Sequence, residues 1–207
     1  MPNFDVEISL EKPVIGIDEV GRGPLAGPIV SCACIFFDYS IPKDKLIILD
    51  DSKKLTRSNR LKAIKLIFEF KQNNIINFAL GCASVEEIDT INILEATKLS
   101  MQRAIRKLKC SKGNIIIDGN MNFRLDNFSC TSIRKGDQKS ITIATASIIA
   151  KVHRDRYMAK IGRKFPLYNW HNNAGYGTKK HIEQIYSKGI TIHHRKSFEP
   201  IKTLIHN

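Results

Sequence analysis

Two carboxylates stand next to each other at Asp18 and Glu19, closing the short apolar run at 14–17. Two residues on, Gly21-Arg22-Gly23 opens a glycine-rich loop that also carries Gly27. Carboxylates are ligands for hard divalent cations. Glycines let backbone N–H groups come close to an anion, because no Cβ intervenes. Arg22 adds a forked, permanently charged group that suits phosphate. Ligands for a cation beside donors for phosphate point to metal-assisted chemistry on a phosphodiester. The loop lacks the Gly-Lys-Ser/Thr ending of a nucleotide P-loop, and it is not a dinucleotide fingerprint. A geometric condition applies. Adjacent residues on a regular strand point to opposite faces. Both carboxylates serve one site only if the strand ends there or Glu19 offers its backbone carbonyl. The following Val20-Gly21 suits such an ending. Taken alone, the pair is equally the solvated tip of a strand.

Further carboxylates occupy comparable places. Asp118 closes the run Ile115-Ile116-Ile117, just before Gly119. In open α/β sheets, ligands bind at such carboxyl ends of strands. Asp137 lies in Lys135-Gly136-Asp137, ahead of a helix, where a negative charge is favourable by itself. Asp155 falls inside that helix among Lys151, Arg154 and Arg156, which favours a solvated ion pair.

The elements that must position these groups are legible. Residues 14–18 and 29–37 read as strands joined by the glycine loop. The second is apolar on both faces, as in a covered central strand. Cys32 and Cys34 share one of its faces. Thr56 or Ser58 caps a helix through about residue 69, with Leu61, Ile64, Ile67 and Phe68 facing inward. Residues 74–85 read as a third strand. A long amphipathic helix spans about 92–108, with Leu94, Met101, Ile105 and Leu108 as its core stripe. Strands at 114–118 and 128–133 follow, then a helix of small residues from Ile141 to about Tyr157. Pro166 stops that helix. A polar loop with aromatics follows, and Thr178 caps a short helix ending near Gly189.

The 207 residues suffice for one substantial core. With 33 basic and 20 acidic residues, the net charge is +13. That balance, spread over several segments, favours a polyanionic partner, with nucleic acid fitting better than a lipid surface. No apolar run approaches the roughly 20 residues of a membrane span, and the N-terminus lacks a secretory signal pattern. The five cysteines have no Cys-x-x-Cys spacing, which speaks against structural zinc and for reduced thiols in the cytosol.

The stretch at 16–28, Gly-Ile-Asp-Glu-Val-Gly-Arg-Gly-Pro-Leu-Ala-Gly-Pro, resembles the signature of the type 2 ribonucleases H, specifically bacterial ribonuclease HII. Five further motifs agree in order: Asp51-Ser52-Lys53, the wording at 91–97, Ile117-Asp118-Gly119, Lys135-Gly136-Asp137, and Gly175-Tyr176-Gly177-Thr178 with His194-Arg195-Lys196-Ser197-Phe198. The resemblance covers about 14–200. It implies an α/β, ribonuclease H-like fold: a mixed central sheet flanked by helices, with a catalytic core over 1–165 and a small C-terminal helical, substrate-binding part over 166–207, the two forming one continuous domain.

The resemblance also implies hydrolysis of the RNA strand in RNA–DNA hybrids, and cleavage 5′ to a single ribonucleotide in duplex DNA, leaving 3′-hydroxyl and 5′-phosphate ends. It makes Asp18, Glu19, Asp118 and Asp137 the catalytic ligands of two Mg²⁺ or Mn²⁺ ions. It makes Gly21, Arg22, Gly23, Lys53, Tyr176, His194, Arg195 and Ser197 substrate contacts, with Tyr176 stacking on the sugar that follows the ribonucleotide. Many family members carry a lysine where this chain has Ala174. The partners implied are the hybrid and the ribonucleotide-containing duplex, for a cytoplasmic monomer. The alternatives are a related two-metal nuclease acting on DNA and a non-catalytic nucleic-acid-binding protein.

Overall fold

A computed structural model describes residues 1–50, 52 and 54–206. Lys53, one of the implied substrate contacts, lies outside the described residues. The short helix α1 (Asp5–Ile8) leads into β1 (Val14–Val20) and β2 (Ile29–Phe36). A turn of helix, α2 (Lys43–Leu46), precedes α3 (Arg57–Gln72) and β3 (Ile76–Ala83). Helix α4 (Val85–Leu108) carries the chain to β4 (Gly113–Asp118) and β5 (Phe128–Ile133). The last elements are α5 (Ile141–Gly162), α6 (Trp170–Asn173), α7 (Lys179–Lys188) and α8 (Ile201–His206).

The five strands lie in the order β3-β2-β1-β4-β5. The pairs β1–β2 and β2–β3 are antiparallel, while β1–β4 and β4–β5 are parallel. This is the mixed, helix-flanked sheet that the sequence implied. Every residue of β2 is buried, as its two apolar faces require. On one face, Cys32, Cys34 and Phe36 pack with Ile67 and Phe70 of α3 and Ile148 of α5. On the other, Ile15, Ile17, Ile115 and Ile117 pack against Met101, Ala104 and Ile105 of α4.

The central helix α5 sits unusually close to β1. A Cβ on Gly16 would come within 2.7 Å of the Ile143 nitrogen. The run from Ile141 to Ala150 is entirely buried. Ser140 caps this helix by accepting from the Ile143 N–H at 3.0 Å. The buried Glu7 carboxylate accepts from the Ser140 hydroxyl at 2.6 Å and the Thr142 N–H at 2.9 Å. It thereby answers the partial positive charge at the helix start.

Several sequence expectations shift. In α3, Thr56 is the cap, but Leu61 and Phe68 are exposed, and Ala63 and Phe70 complete the buried stripe with Ile64 and Ile67. Phe68 lies off the stripe and meets Phe78 edge-on. Helix α4 starts at Val85, not near 92, because Ser84 and Glu87 form a reciprocal capping box. Asn92 leaves helical geometry at φ 67°, and its side-chain oxygen accepts from the Leu94 and Glu95 N–H groups. The sequence signal read as a start is this internal restart. Leu94 is exposed, while Met101, Ile105 and Leu108 are buried. Helix α5 ends at Gly162, four residues before Pro166, which opens a 3₁₀ turn.

The C-terminal helices do not stand apart from the core. Tyr168, Trp170, Ile185 and Ile201 pack with Leu25 and Ala26 of the glycine loop and with Met158 and Ile161 of α5. No helix among the described residues is long and apolar enough to cross a membrane.

Candidate active site

Asp18 and Asp118 reach the same end of the sheet on neighbouring parallel strands. Their last registered couple is Ile17 with Ile117, so the two aspartates follow side by side. Strand spacing is about 4.8 Å. Strand β1 does not end at Asp18; it runs on to Val20, opposite Val30. The pleat therefore keeps Asp18 and Glu19 on opposite faces. Asp18 sits across from Cys32, on the α5 side, and hydrogen-bonds Ser147 of α5. Glu19 sits across from Ser31, whose hydroxyl meets Ser100 of α4. The Glu19 N–H donates to Asp18 Oδ1 at 2.7 Å.

The groups converge at the rim. Glu19, Arg22, Leu94, Asp118, Asn120 and Met121 line a cavity of about 400 Å³. The Gly136 N–H donates to Asp118 Oδ1 at 2.7 Å, which brings the neighbouring Asp137 to this end of the sheet. Asp137 is 4% exposed, in the 3₁₀ turn Gly136–Gln138 that leads into α5. Among the described residues, no group of three or more acidic, histidine or cysteine side chains stands close enough together to hold a metal ion. Asp155 takes the surface role its neighbours suggested, pairing with Lys151 at 2.8 Å.

The electrostatics show what the carboxylates lack. Burial holds the Asp18 carboxyl well above the usual range, and the Glu19 and Asp118 charges push it the same way. Glu19 is also raised, chiefly by burial, with Arg22 opposing and Asp118 adding to the shift. The Arg22–Glu19 approach is loose, at 3.6 Å, and the Arg22 side chain is half exposed. Glu19 Oε2 is buried with no hydrogen-bond partner. Buried, mutually repelling oxygens with an orphaned lone pair fit a hard divalent cation.

The glycine loop is held from behind. Gly21 adopts φ +101°, and a Cβ there would strike the Arg154 side chain. Arg154 is fully buried and donates to the carbonyls of Pro28, Ala174 and Ala26. It is turned inward, away from the surface ion pair of Asp155. Its place four residues from both Ala150 and Met158, on the buried side of α5, was the available signal.

Arg195 donates to the carbonyls of Gly21, Arg22 and Gly27. Arg195 and His194 are 0% and 1% exposed, so neither presents itself to a substrate. This corrects the contact role implied for them: their polar atoms are spent inside the protein. Ser197 donates its hydroxyl and N–H to Asp89, on the first half of α4. Tyr176 is 46% exposed, and its ring lies 3.7 Å from where a Gly23 Cβ would be. Ring and loop thus form one continuous wall beside the carboxylates. Ser147, Arg154, Asp89 and His181 are the supporting residues that sequence reasoning missed.

The comparisons with known proteins give the family and the fold. The family model for ribonuclease HII matches residues 15–201. The chain is 47% identical to the ribonuclease HII of Wolbachia pipientis subsp. Culex pipiens over 203 residues, 98% of each protein. It is 50% identical to that of Macrococcus caseolyticus over 195 residues, 94% of this chain and 69% of the relative. The crystal structure of ribonuclease H2 from Pyrococcus horikoshii superposes with a TM-score of 0.71 at 24% identity, covering 93% of this chain and 97% of that one. A likeness at that identity speaks for the fold, while the near full-length matches speak for the rest. The chain therefore belongs to the ribonuclease HII family of ribonuclease H endonucleases.

Proposed function

We propose that the chain hydrolyses the RNA strand of RNA–DNA hybrids and cuts 5′ to a single ribonucleotide embedded in duplex DNA, leaving 3′-hydroxyl and 5′-phosphate ends. Asp18, Glu19, Asp118 and Asp137 would hold two Mg²⁺ or Mn²⁺ ions. When bound, such ions supply an activated nucleophile and stabilise the charge on the leaving oxygen. The single observation that carries this reading is the strand-end arrangement: buried carboxylates with raised proton affinity and an unpartnered Glu19 oxygen, beside a phosphate-suited loop.

The protein's own residues supply position. The 2′-hydroxyl distinguishes RNA from DNA at a given sugar. Backbone groups at 21–23, fixed by Arg195, can meet that hydroxyl without losing side-chain entropy. Arg22 faces the adjoining phosphate, and Tyr176 offers a stiff platform for the next sugar. Positive charge supplies affinity but not this discrimination. Arg57, Arg60, Lys151 and Arg156 supply such charge where they line a cavity of about 390 Å³ between α3, α5 and α6, with Asp155 at its wall. The chain would act as a monomer in the cytosol, where its five free thiols stay reduced.

The test is cleavage of a duplex with one embedded ribonucleotide, with and without Mg²⁺, with both product ends mapped. Incision 5′ to the ribonucleotide only with metal is the expected result. Cleavage of an all-DNA duplex would assign a DNA nuclease. Tight binding without any cleavage would assign a binding protein.

A further inference from the structure

The carbonyl of Tyr176 is held by a buried chain of rings with no part in the chemistry above. His181 Nδ1 lies 2.8 Å from the Tyr176 carbonyl oxygen. Trp170 Nε1–H donates to His181 Nε2 at 3.1 Å. His181 Nε2 lies 3.2 Å from His194 Nε2. The Thr191 N–H donates to His194 Nδ1 at 2.9 Å. Both rings are buried, at 0% and 1% exposure.

Donor and acceptor accounting fixes every proton in this chain. A carbonyl only accepts, so His181 carries its proton on Nδ1. An indole N–H only donates, so His181 Nε2 is bare. A backbone N–H only donates, so His194 Nδ1 is bare and its proton sits on Nε2. That proton then points at His181 Nε2, which accepts from both Trp170 and His194. One neutral assignment satisfies all of the contacts. Protonating His181 sets an N–H against two donors, and protonating His194 sets one against the Thr191 N–H.

The two rings reach both parts of the substrate wall. His181 holds Tyr176. The segment carrying His194 is bridged to Ala26 of the glycine loop, with Gly27 N–H donating to the His193 carbonyl and Arg195 N–H to the Leu25 carbonyl. Arg195, the next residue, grips the carbonyls of Gly21 and Arg22. We propose that His181 and His194 are positioning residues for ribonucleotide recognition: while both rings are neutral they hold Tyr176 and the loop at 21–23 in one arrangement, and a proton on either ring releases both. The part played in recognition rests on the function proposed above; the proton assignment does not.

The surroundings keep the rings neutral. Burial lowers the affinity of both for a proton, and His194 falls to about 4, with His181 and His193 adding to the shift. Arg154 of α5 and Arg195 of the C-terminal segment are the cations packed behind the loop, and Lys164 acts on His193. Tyr168 packs edge-on against both rings and donates its hydroxyl to the Gly189 carbonyl. The nearby Asp89 is engaged by Lys196 and Ser197 instead.

The experiment combines imidazole nitrogen NMR of the whole chain with cleavage kinetics. The spectra should place the proton on Nδ1 of His181 and on Nε2 of His194 at pH 7, and both rings should titrate below the ordinary imidazole value, His194 at about 4. As pH falls further, the Tyr176 amide should shift with the onset of His194 protonation, and that shift should vanish in His194→Asn. At pH 7.5, His181→Leu and His194→Asn should lose 10-fold or more in kcat/KM at a single embedded ribonucleotide, mostly through KM. Continuous hybrid should lose less than 3-fold. His181→Gln, which keeps a donor and an acceptor, should recover part of the loss. Opposite tautomers, titration near 6.5, or equal losses on both substrates in proportion to a lowered melting temperature would overturn the proposal. Wild-type chain that cuts no ribonucleotide-containing duplex would sink the proposed function, while the NMR arm would still decide the ring network.

Discussion

The sheet end and the C-terminal segment both bury ionisable groups, and they do so to opposite effect. At the sheet end, the charges of Asp18, Glu19 and Asp118 act on one another, and the loosely placed Arg22 is the cation that opposes them at Glu19. Their demand for positive charge is left open. In the C-terminal segment, Arg195, His181 and His194 find carbonyls or ring nitrogens for the polar atoms they bury. Their demand is closed inside the protein. Burial alone therefore does not mark a reactive group. Whether the fold supplies the partner does.

The sharpest break of that comparison comes from removing charge at the open end. Asp18→Asn or Asp118→Asn should cut cleavage by a factor of about 10³ or more, since the group acts directly on the reacting centre. Binding of the duplex should change little. Gel-shift affinity and single-turnover rates in saturating Mg²⁺ separate the two, and near-normal turnover in either variant would remove it from the ligand set.

A smaller contrast lies between the aspartate just before α5 and the one inside it. Asp137→Asn should be impaired nearly as severely as Asp18→Asn. Asp155→Asn loses a part-buried surface pair with Lys151 and should change turnover less than 3-fold and stability by about 1 kcal/mol or less. Reversed ranking in the same assay would move the fourth ligand onto α5.

Tyr176 and Arg195 divide by what they damage. Tyr176→Ala should lose most cleavage at a single embedded ribonucleotide while the melting temperature falls little, because the ring is half exposed. Tyr176→Phe should keep more activity, since stacking needs the ring more than the hydroxyl. Arg195→Ala should instead destabilise the protein by about 3 kcal/mol, because the carbonyls of Gly21, Arg22 and Gly27 lose their donors. Lysine cannot reproduce the fork. Thermal melts beside rates per folded molecule distinguish the two, and an unchanged melting temperature for Arg195→Ala would refute the bracing role.

The gentlest probe is pH. His194 is depressed from 6.5 to about 4 in the folded chain. A base held below its unfolded value gives stability that is complete above about pH 6.5 and is lost as pH falls toward 4. The total is about 3 kcal/mol at most. His194→Asn should flatten this part of the denaturation-midpoint curve. A slope identical to wild type between pH 6.5 and 4.5 would mean that another group carries it.

Much of the site was readable in the chain. Asp18, Glu19 and Asp118 follow short apolar runs that read as strands, and the carboxyl ends of strands are where open α/β sheets bind ligands. The capping residues Thr56 and Thr178 were readable because capping is a contact between neighbours in sequence. The start of α4 was misplaced because Asn92 produces a genuine local cap inside a longer helix.

Sequence by itself determined the elements, the carboxylates at their ends, and the glycine loop, since each depends on residues within a few positions of one another. Only the tertiary structure decided which face each carboxylate takes and which cations are spent internally. Asp18 and Glu19 diverge because β1 continues to pair with β2 through Val20, a partner that enters from ten residues away. Arg154 and Arg195 look like surface charges in a basic chain, yet both are buried against backbone carbonyls, Arg195 more than 160 positions from the Gly27 oxygen it grips. Loop carbonyls have no sequence signature. A buried guanidinium can be told from a solvated one only once the fold has brought those carbonyls to it.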